Sequence, residues 1–540
     1  MGYLSDFGGA FLGILLVCYL VDAARLRAKR KQFMKENDCE EPPKRPSQSP
    51  FGIDLFLDKM KNIKNHTHLE SIMEHHKQLG STYTEKSIGT TTIFTIDPQS
   101  LQTYYSTNFK DYGVYHLRKK AFYPLLGDGV FSTDGPFWEH SRALIRPTFT
   151  RFNVANFPVF KIHLQRFLKL IPKDGRTVNL SSLLDDLISR TPAFVVPLIK
   201  DYSFNLFLDT STEFIFGESV NALDESSDEA SESHKFLDAF HHAQRGISIR
   251  SQLRTLSFLY QDRWDKKERR AVHKFVDAHI DKALELRWEY LASKKSFTYP
   301  DPSSSSDEEE DDENHRYILL HEMAKETGDR RELRNQTLQV LLAGHEATAI
   351  GVGNAIFWLC RNQKVWEKLR KEVLEHREKD EELTFESLKG MRYLQWVVNE
   401  TLRLTPIAPT ITRGAVCDTI LPRGGGPSGT PPILVKAGTL ITPNSWVFHR
   451  LAPCYQPDPE AFRPERWEHS RPGWNYLPFG GGTRMCARRN LGLTEMAYVL
   501  ARLVQEWKGL ECRDEVAEWV EEIKLSVESG NGVKAGVKWA

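Results

Sequence analysis

No C-x-x-C pair occurs anywhere in this chain, and its seven cysteines, at 18, 39, 360, 417, 454, 486 and 512, are scattered. That argues against a zinc ribbon or a disulfide framework and suits a reducing compartment. An excess of charge of one sign is also missing, since 72 Lys and Arg stand against 72 Asp and Glu. Such a balance gives no support to nucleic acid as a partner. There is no internal repeat and no strand–helix alternation of a doubly wound sheet. What the chain does have is apolar material, 40% of 540 residues with 30 Phe among them. That length holds one large domain or two to three ordinary ones. Any cysteine chemistry must come from a single thiolate.

An apolar run opens the chain. "FGGAFLGILLVCYLVDAA", residues 7–24, is apolar apart from Asp22, and the basic "RLRAKRK" comes at once after it. The run is slightly shorter than the roughly 20 residues of a spanning helix. Basic residues after the run favour an anchor over a signal peptide and place the remainder of the chain in the cytosol. Residues 1–24 are therefore expected to form a single-pass transmembrane anchor. Residues 25–50 are expected to form a basic and proline-rich linker ("EPPKRPSQSPFGID", 41–54, closes it), with the body of the protein over 51–540. "TTTIFTID", 90–97, reads as a strand. Long helical patterns run from about 135 to Pro406, and short β-like pieces with Gly/Pro-rich loops come after them. The expected fold is mainly α with small β-sheets. "DPSSSSDEEEDDEN", 301–314, is too acidic to bury and is expected to be a solvated loop.

"LPFGGGTRMCARRNLGLTE", residues 477–495, sets Cys486 after a glycine run, with three arginines at 484, 488 and 489 within three residues of it. Glycines let a backbone pass close to a flat ligand and leave N–H groups free to point at a thiolate. Arg484 is placed to hold an anionic group and to keep the sulfur ionised. The stretch after the cysteine reads as a helix, whose positive end faces the sulfur. This setting suits an axial thiolate on haem iron, and a buried structural cysteine is the alternative.

Three other stretches bear on the choice. "ETLR" puts Glu400 and Arg403 on one helical face, "FRPERW" supplies Arg466 as a third partner, and "WEHSR" places Trp138 and Arg142 at i, i+4. Each alone could be a surface ion pair. Together and in this order, with A-G-x-E before a threonine and F-x-x-G-x-R-x-C, they resemble the cytochrome P450 family over about residues 50–530. The resemblance implies the P450 fold behind an N-terminal transmembrane helix, with heme b as cofactor and Cys486 as the iron's thiolate ligand. Phe479 would pack beside the sulfur, and Trp138, Arg142, Arg413 and Arg484 would bind the haem propionates. Glu400, Arg403 and Arg466 would lock the cysteine-bearing segment to the core. The implied reaction inserts one oxygen atom from O2 into a C–H bond, with Glu346 and Thr348 at the oxygen side. Electrons would come from NADPH through a cytochrome P450 reductase partner, at the endoplasmic reticulum membrane. "FLDTSTEFIFGESV", "LPRGGG" and "WNYLPFGGG" look like the fungal alkane and fatty-acid hydroxylases. That branch implies a hydrophobic substrate, a long aliphatic chain or a fatty-acid- or polyketide-like compound.

Three places depart from the family pattern. "LLAGHEATAIG", 341–351, has Ala347 where the family usually has threonine, and the threonine comes one step later, at Thr348. One helical step is about 100°, so proton delivery is expected to use water, a substrate hydroxyl or a local widening at Gly344. Arg488 stands where the family favours glycine. Its side chain is expected either to escape to solvent from a backbone with negative φ, or to join Arg489 as a basic contact for the reductase. Residues 188–203 look like extra sequence relative to the branch. Two rival classes remain open. One is a haem-thiolate enzyme that rearranges or dehydrates its substrate without O2, and the other is a non-catalytic haem-binding homologue.

Overall fold

The computed structural model describes residues 2–149, 157–180, 202–224, 232–260, 265–296, 317–377 and 383–540. The acidic run 301–314 and residues 188–201 of the extra stretch lie outside the described residues. The architecture is mainly helical with small sheets, as the periodicity suggests. Its spine is a pair of consecutive helices, Arg330–Gly344 and Glu346–Arg361, interrupted at His345 and buried along nearly their whole length. By length and composition this spine could cross a membrane, but 89% of its apolar window is buried inside the protein. It is the core of the fold.

Two apolar clusters meet on that spine. One packs Glu346–Arg361 with the helices Arg392–Leu404 and Arg489–Glu506 and the strand Trp507–Cys512. The other packs Arg330–Gly344 with Glu232–Leu253, Asp265–Ser296 and Leu319–Glu326. Each of these helices turns one apolar stripe inward, as the 3.6-residue period requires.

The largest sheet has five strands in the order Thr82–Ser87, Thr90–Thr95, Leu440–Pro443, Arg413–Ala415 and Tyr112–Gly113. The strand expected at 90–97 is there as Thr90–Thr95. Ile88 and Gly89, both at positive φ, turn it back on its neighbour in the two-residue geometry that suits a twisted hairpin. Asp97 then ends the run by accepting from Ser100 N and capping the next helix. A three-stranded sheet and two short hairpins complete the β structure.

At the N-terminus a single helix runs from Gly2 to Glu36, so the basic block continues it without a break. Ile14 to Val17 and Tyr19 to Val21 are all exposed. Residues 25–50 do not stand apart from the body. Arg30 donates through Nε and Nη2 to Asp418 at 2.7 Å each, Glu40 N donates to Pro432 O, and Arg45 pairs with Asp58 and Glu85. Proline spacing suggests an extended linker, but these ion pairs lay the segment against the sheet.

Candidate functional site

Glu400 is fully buried on the helix Arg392–Leu404, and five donors share its two oxygens. Arg403 gives Nε and Nη2 at 2.9 and 2.8 Å, Arg466 gives Nε at 2.8 Å, and Arg463 N and the Trp467 indole donate at 3.0 Å each. The remaining guanidinium N–H groups reach the carbonyls of His449, Pro459, Asp458 and Ala461. A buried ion cluster is tolerable only when it is closed in this way. His449 extends the lock and was not singled out from the sequence. Burial holds its imidazole well below the usual histidine range, so it is neutral. Its Nδ1 faces Arg403 O at 3.1 Å, and its Nε2 accepts from Leu477 N at 3.0 Å. One uncharged ring thus ties the Glu400 helix to the first residue of the cysteine loop.

That loop is shaped by glycine. Gly480 and Gly482 have φ of 68° and 61°, and a Cβ on Gly482 would lie 1.9 Å from the Tyr105 carbonyl oxygen. The close approach therefore fixes the loop against the protein's own backbone at Tyr105. Cys486 N donates to Phe479 O at 3.1 Å, which folds the loop over Phe479.

Cys486 is exposed as a residue, while the protein packed around its thiol pushes it up by desolvation. Against that desolvation, the Arg488 N–H and the guanidinium groups of Arg488, Arg142 and Arg489 all favour the thiolate. Arg484, expected to help ionise the sulfur, is turned to Asp134 and the Thr133 carbonyl at 2.6 and 2.8 Å.

Beside the sulfur, four arginines crowd together. Arg484 lies over the ring of buried Trp138, its guanidinium carbon 4.4 Å from the centroid. Arg413 is fully buried against Tyr104 and Tyr105. Arg142 comes from the same short helix as Trp138, Gly135–Ile145. Arg118, which the sequence reading missed, completes the group. Burial and the neighbouring cations bring Arg118 and Arg484 down to about 10. Asp134 is the carboxylate that offsets them, and it also accepts from the backbone of Val114 and Tyr115. Among the described residues, the Nε atoms of Arg413 and Arg484 are buried without a hydrogen-bond partner, and two such donors side by side among crowded cations suit an anionic group. Such a crowd of cations beside Cys486 would suit an anionic ligand.

On the spine helix, Glu346 is buried and pushed up to about 7 by desolvation and by Glu528. It accepts from Gln244 Nε2 at 2.5 Å. Thr348 donates to Glu495 at 3.1 Å. The helix is interrupted at His345, one residue after Gly344, where a widening is expected. Arg488 has φ of −87°, so its backbone carries no left-handed strain. Its side chain does not escape to solvent, and at 12% exposure it is poorly placed as a surface contact. It donates to the Gly344 carbonyl and, at 2.7 Å, to Glu495. Arg489 is the exposed member of the pair.

A lone thiol beside crowded cations is an arrangement that would suit an anionic metal macrocycle held by one sulfur. The comparisons give that arrangement its family. The cytochrome P450 family model matches residues 48–527. Cytochrome P450 monooxygenase fsdH of Fusarium heterosporum is 34% identical, over 96% of this chain and 86% of its own length. Cytochrome P450 monooxygenase himC of Aspergillus japonicus is 35% identical over 91% and 82%. Cytochrome P450 52A12 of Debaryomyces hansenii is 35% identical over 95% and 94%. The chain belongs to the cytochrome P450 family and is an oxidoreductase of the monooxygenase type. The family implies haem-thiolate iron and a redox partner.

Proposed function

We propose that this protein is a membrane-anchored monooxygenase that inserts one oxygen atom of O2 into a C–H bond of a long aliphatic substrate, using electrons from NADPH through a reductase. The observation that carries the reading is Cys486, a lone thiol amid a backbone N–H and guanidinium groups that favour its thiolate. Haem held there by Cys486, with its propionates on Trp138, Arg142, Arg413, Arg484 and Arg118, would supply the oxygen-activating chemistry. The protein's own contributions are more local. Phe479 covers the sulfur, and the Glu400–Arg403–Arg466 lock fixes the loop that carries it. Glu346, near 7, can hold or release a proton at neutral pH through its carboxyl oxygen. Ala347 offers no hydroxyl and that of Thr348 is engaged with Glu495, so proton delivery relies on Glu346 and water. The exposed apolar face of the N-terminal helix supports an anchor in the endoplasmic reticulum membrane, and exposed Arg489 is a basic contact for the reductase.

The test uses membranes holding the full chain and a reductase. The ferrous–CO spectrum should show the red-shifted thiolate band, lost in Cys486→Ser. Long-chain alkanes and fatty acids should then yield NADPH-dependent hydroxylated products by mass. A thiolate band with no oxygenated product from any aliphatic chain would sink the reading. The missing hydroxyl at 347 favours a second reading, rearrangement of an oxygenated substrate without O2. NADPH-independent turnover of a fatty hydroperoxide would select it.

A further inference from the structure

The scattered cysteines suggest no pairing in the sequence, yet the fold brings two of them together. Cys360 lies near the end of the spine helix Glu346–Arg361, and Cys512 ends the strand Trp507–Cys512. Hydrogen bonds on either side of the two cysteines zip helix end and strand together. On one side Gln363 Nε2 donates to the carbonyls of Cys360 and Leu510, at 2.9 and 2.7 Å. On the other, Arg361 Nη2 donates to Asp514 at 3.3 Å and to the Val516 carbonyl at 2.8 Å. Residue 512 falls between those attachments. The alternation of a strand puts Cys512 on the same face as Leu510, which is buried in the apolar cluster that also holds Cys360. Cys512 packs against that cluster, and the two thiols are hydrogen-bond partners.

The two sulfurs are not alike. Cys360 is buried, whereas Cys512 is half-buried and within reach of a small solute. Burial and the neighbouring Cys512 push the Cys360 thiol up to about 12, so it keeps its proton and does not meet an oxidant by itself. Arg361 works the other way, donating through Nη1 to Cys360 Sγ at 3.4 Å. Oxidation of Cys512 to a neutral group would take away the charge that opposes a Cys360 thiolate and leave Arg361 in place.

We propose that Cys360 and Cys512 form a modification site, a dithiol that hydrogen peroxide converts to a disulfide, with Cys512 the sulfur oxidised first. The Cys512 thiolate attacks one peroxide oxygen. An S–O bond forms, the O–O bond breaks, and the departing hydroxide takes up the proton the thiol gave up, leaving as water. Cys512 is then a sulfenic acid. The Cys360 sulfur attacks it, so that the S–S bond forms and the S–O bond breaks. The hydroxyl leaves with the Cys360 proton as a second water. Two electrons have passed from the sulfurs to the peroxide oxygens. In a reducing compartment the resting form is the dithiol, and the bond is a reversible response to oxidant. It closes residues 360–512, with Cys486 and the Glu400 lock among them, into one loop fixed to the spine.

The test is peptide mapping of the full-length, haem-loaded protein in membranes after a small molar excess of hydrogen peroxide. Free thiols are alkylated under denaturing conditions before digestion. Wild type should yield two peptides joined through Cys360 and Cys512, lighter by two hydrogens than the reduced pair, and dithiothreitol should separate them. In Cys360→Ala the sulfenic acid has no partner, and its dimedone adduct at Cys512 should rise about tenfold over wild type. In Cys512→Ser, Cys360 should be recovered fully alkylated. Wild type carries the test by itself if a variant does not fold. The proposal is overturned if wild type returns both thiols reduced, or if dimedone traps Cys512 as fully in wild type as in Cys360→Ala. Oxidation of Cys360 in Cys512→Ser overturns it as well.

Discussion

Arg403 and Arg466 are buried about as deeply as Arg413 and Arg484, and both pairs lie beside aromatic rings. They differ in closure. The first pair shares one carboxylate that is saturated by five donors, and its other N–H groups all end on carbonyls. The second pair sits among two further cations with Asp134 as the offsetting carboxylate, and two Nε atoms are left over. Closed charge carries structure, because removing any member strands the rest. Open charge of one sign suits a ligand, because among the described residues only Asp134 offsets it.

The sharpest test of that contrast is Glu400→Gln. It strands two buried guanidinium groups and should cost about 3–5 kcal/mol. Folded, haem-loaded protein should largely disappear from a denaturant titration. Full retention of stability would erase the distinction between the two arginine groups.

Glu346 is the opposite case, a buried carboxyl with little cationic support. Its native value of about 7 lies above the ordinary 4.5. The native state therefore binds the proton more tightly, and its stabilising effect is complete below about 4.5. It is lost as pH rises through 7. Wild type should lose roughly 3 kcal/mol relative to Glu346→Gln across that window. Glu521 also titrates near 7, but it is present in both proteins and cancels. The check is the unfolding midpoint of each at about pH 5 and pH 8.

Arg488 belongs with the closed group, although its position in the sequence suggests otherwise. Replacing it by the family's glycine should destabilise by about 2 kcal/mol, because Glu495 and the Gly344 carbonyl lose their donor. Its φ of −87° means that glycine relieves no strain. Arg488→Gly/Glu495→Gln should recover much of the loss, and thermal unfolding of the three variants reads it.

These cases also mark how far the sequence could be read. Glu400, Arg403 and Arg466 were legible because i, i+3 spacing and a conspicuous F-x-P-E-R-W stretch announce a pairing. The helical class and the strand at Thr90–Thr95 were legible from periodicity. His449 and Arg118 were not, since one histidine in a helix and one arginine in "HLRKK" carry no pattern. Only the chain's return through space brings them to the loop and to the arginine group. Arg488 was misread because its backbone was considered and its reach was not. A long side chain two residues past Cys486 can cross to the spine helix. The lie of residues 25–50 depended in the same way on partners such as Asp418 and Glu85, far away in sequence.

The smallest effect concerns the open group itself. Arg413→Gln removes one of four crowded cations and keeps a polar side chain. Relief of like-charge repulsion should offset the lost contact with Tyr104 O, at 3.4 Å a weak one. Unfolding of the variant should therefore move by less than about 1 kcal/mol. What should change is the grip on the anion those cations await. Haem transfer from the holoenzyme to an excess of haem-free acceptor protein should run about tenfold faster, equivalent to about 1.4 kcal/mol. A variant that loses stability but holds haem as before would place Arg413 with Arg403, as a strut. Faster haem loss at unchanged stability is the signature of a residue whose partner is the ligand.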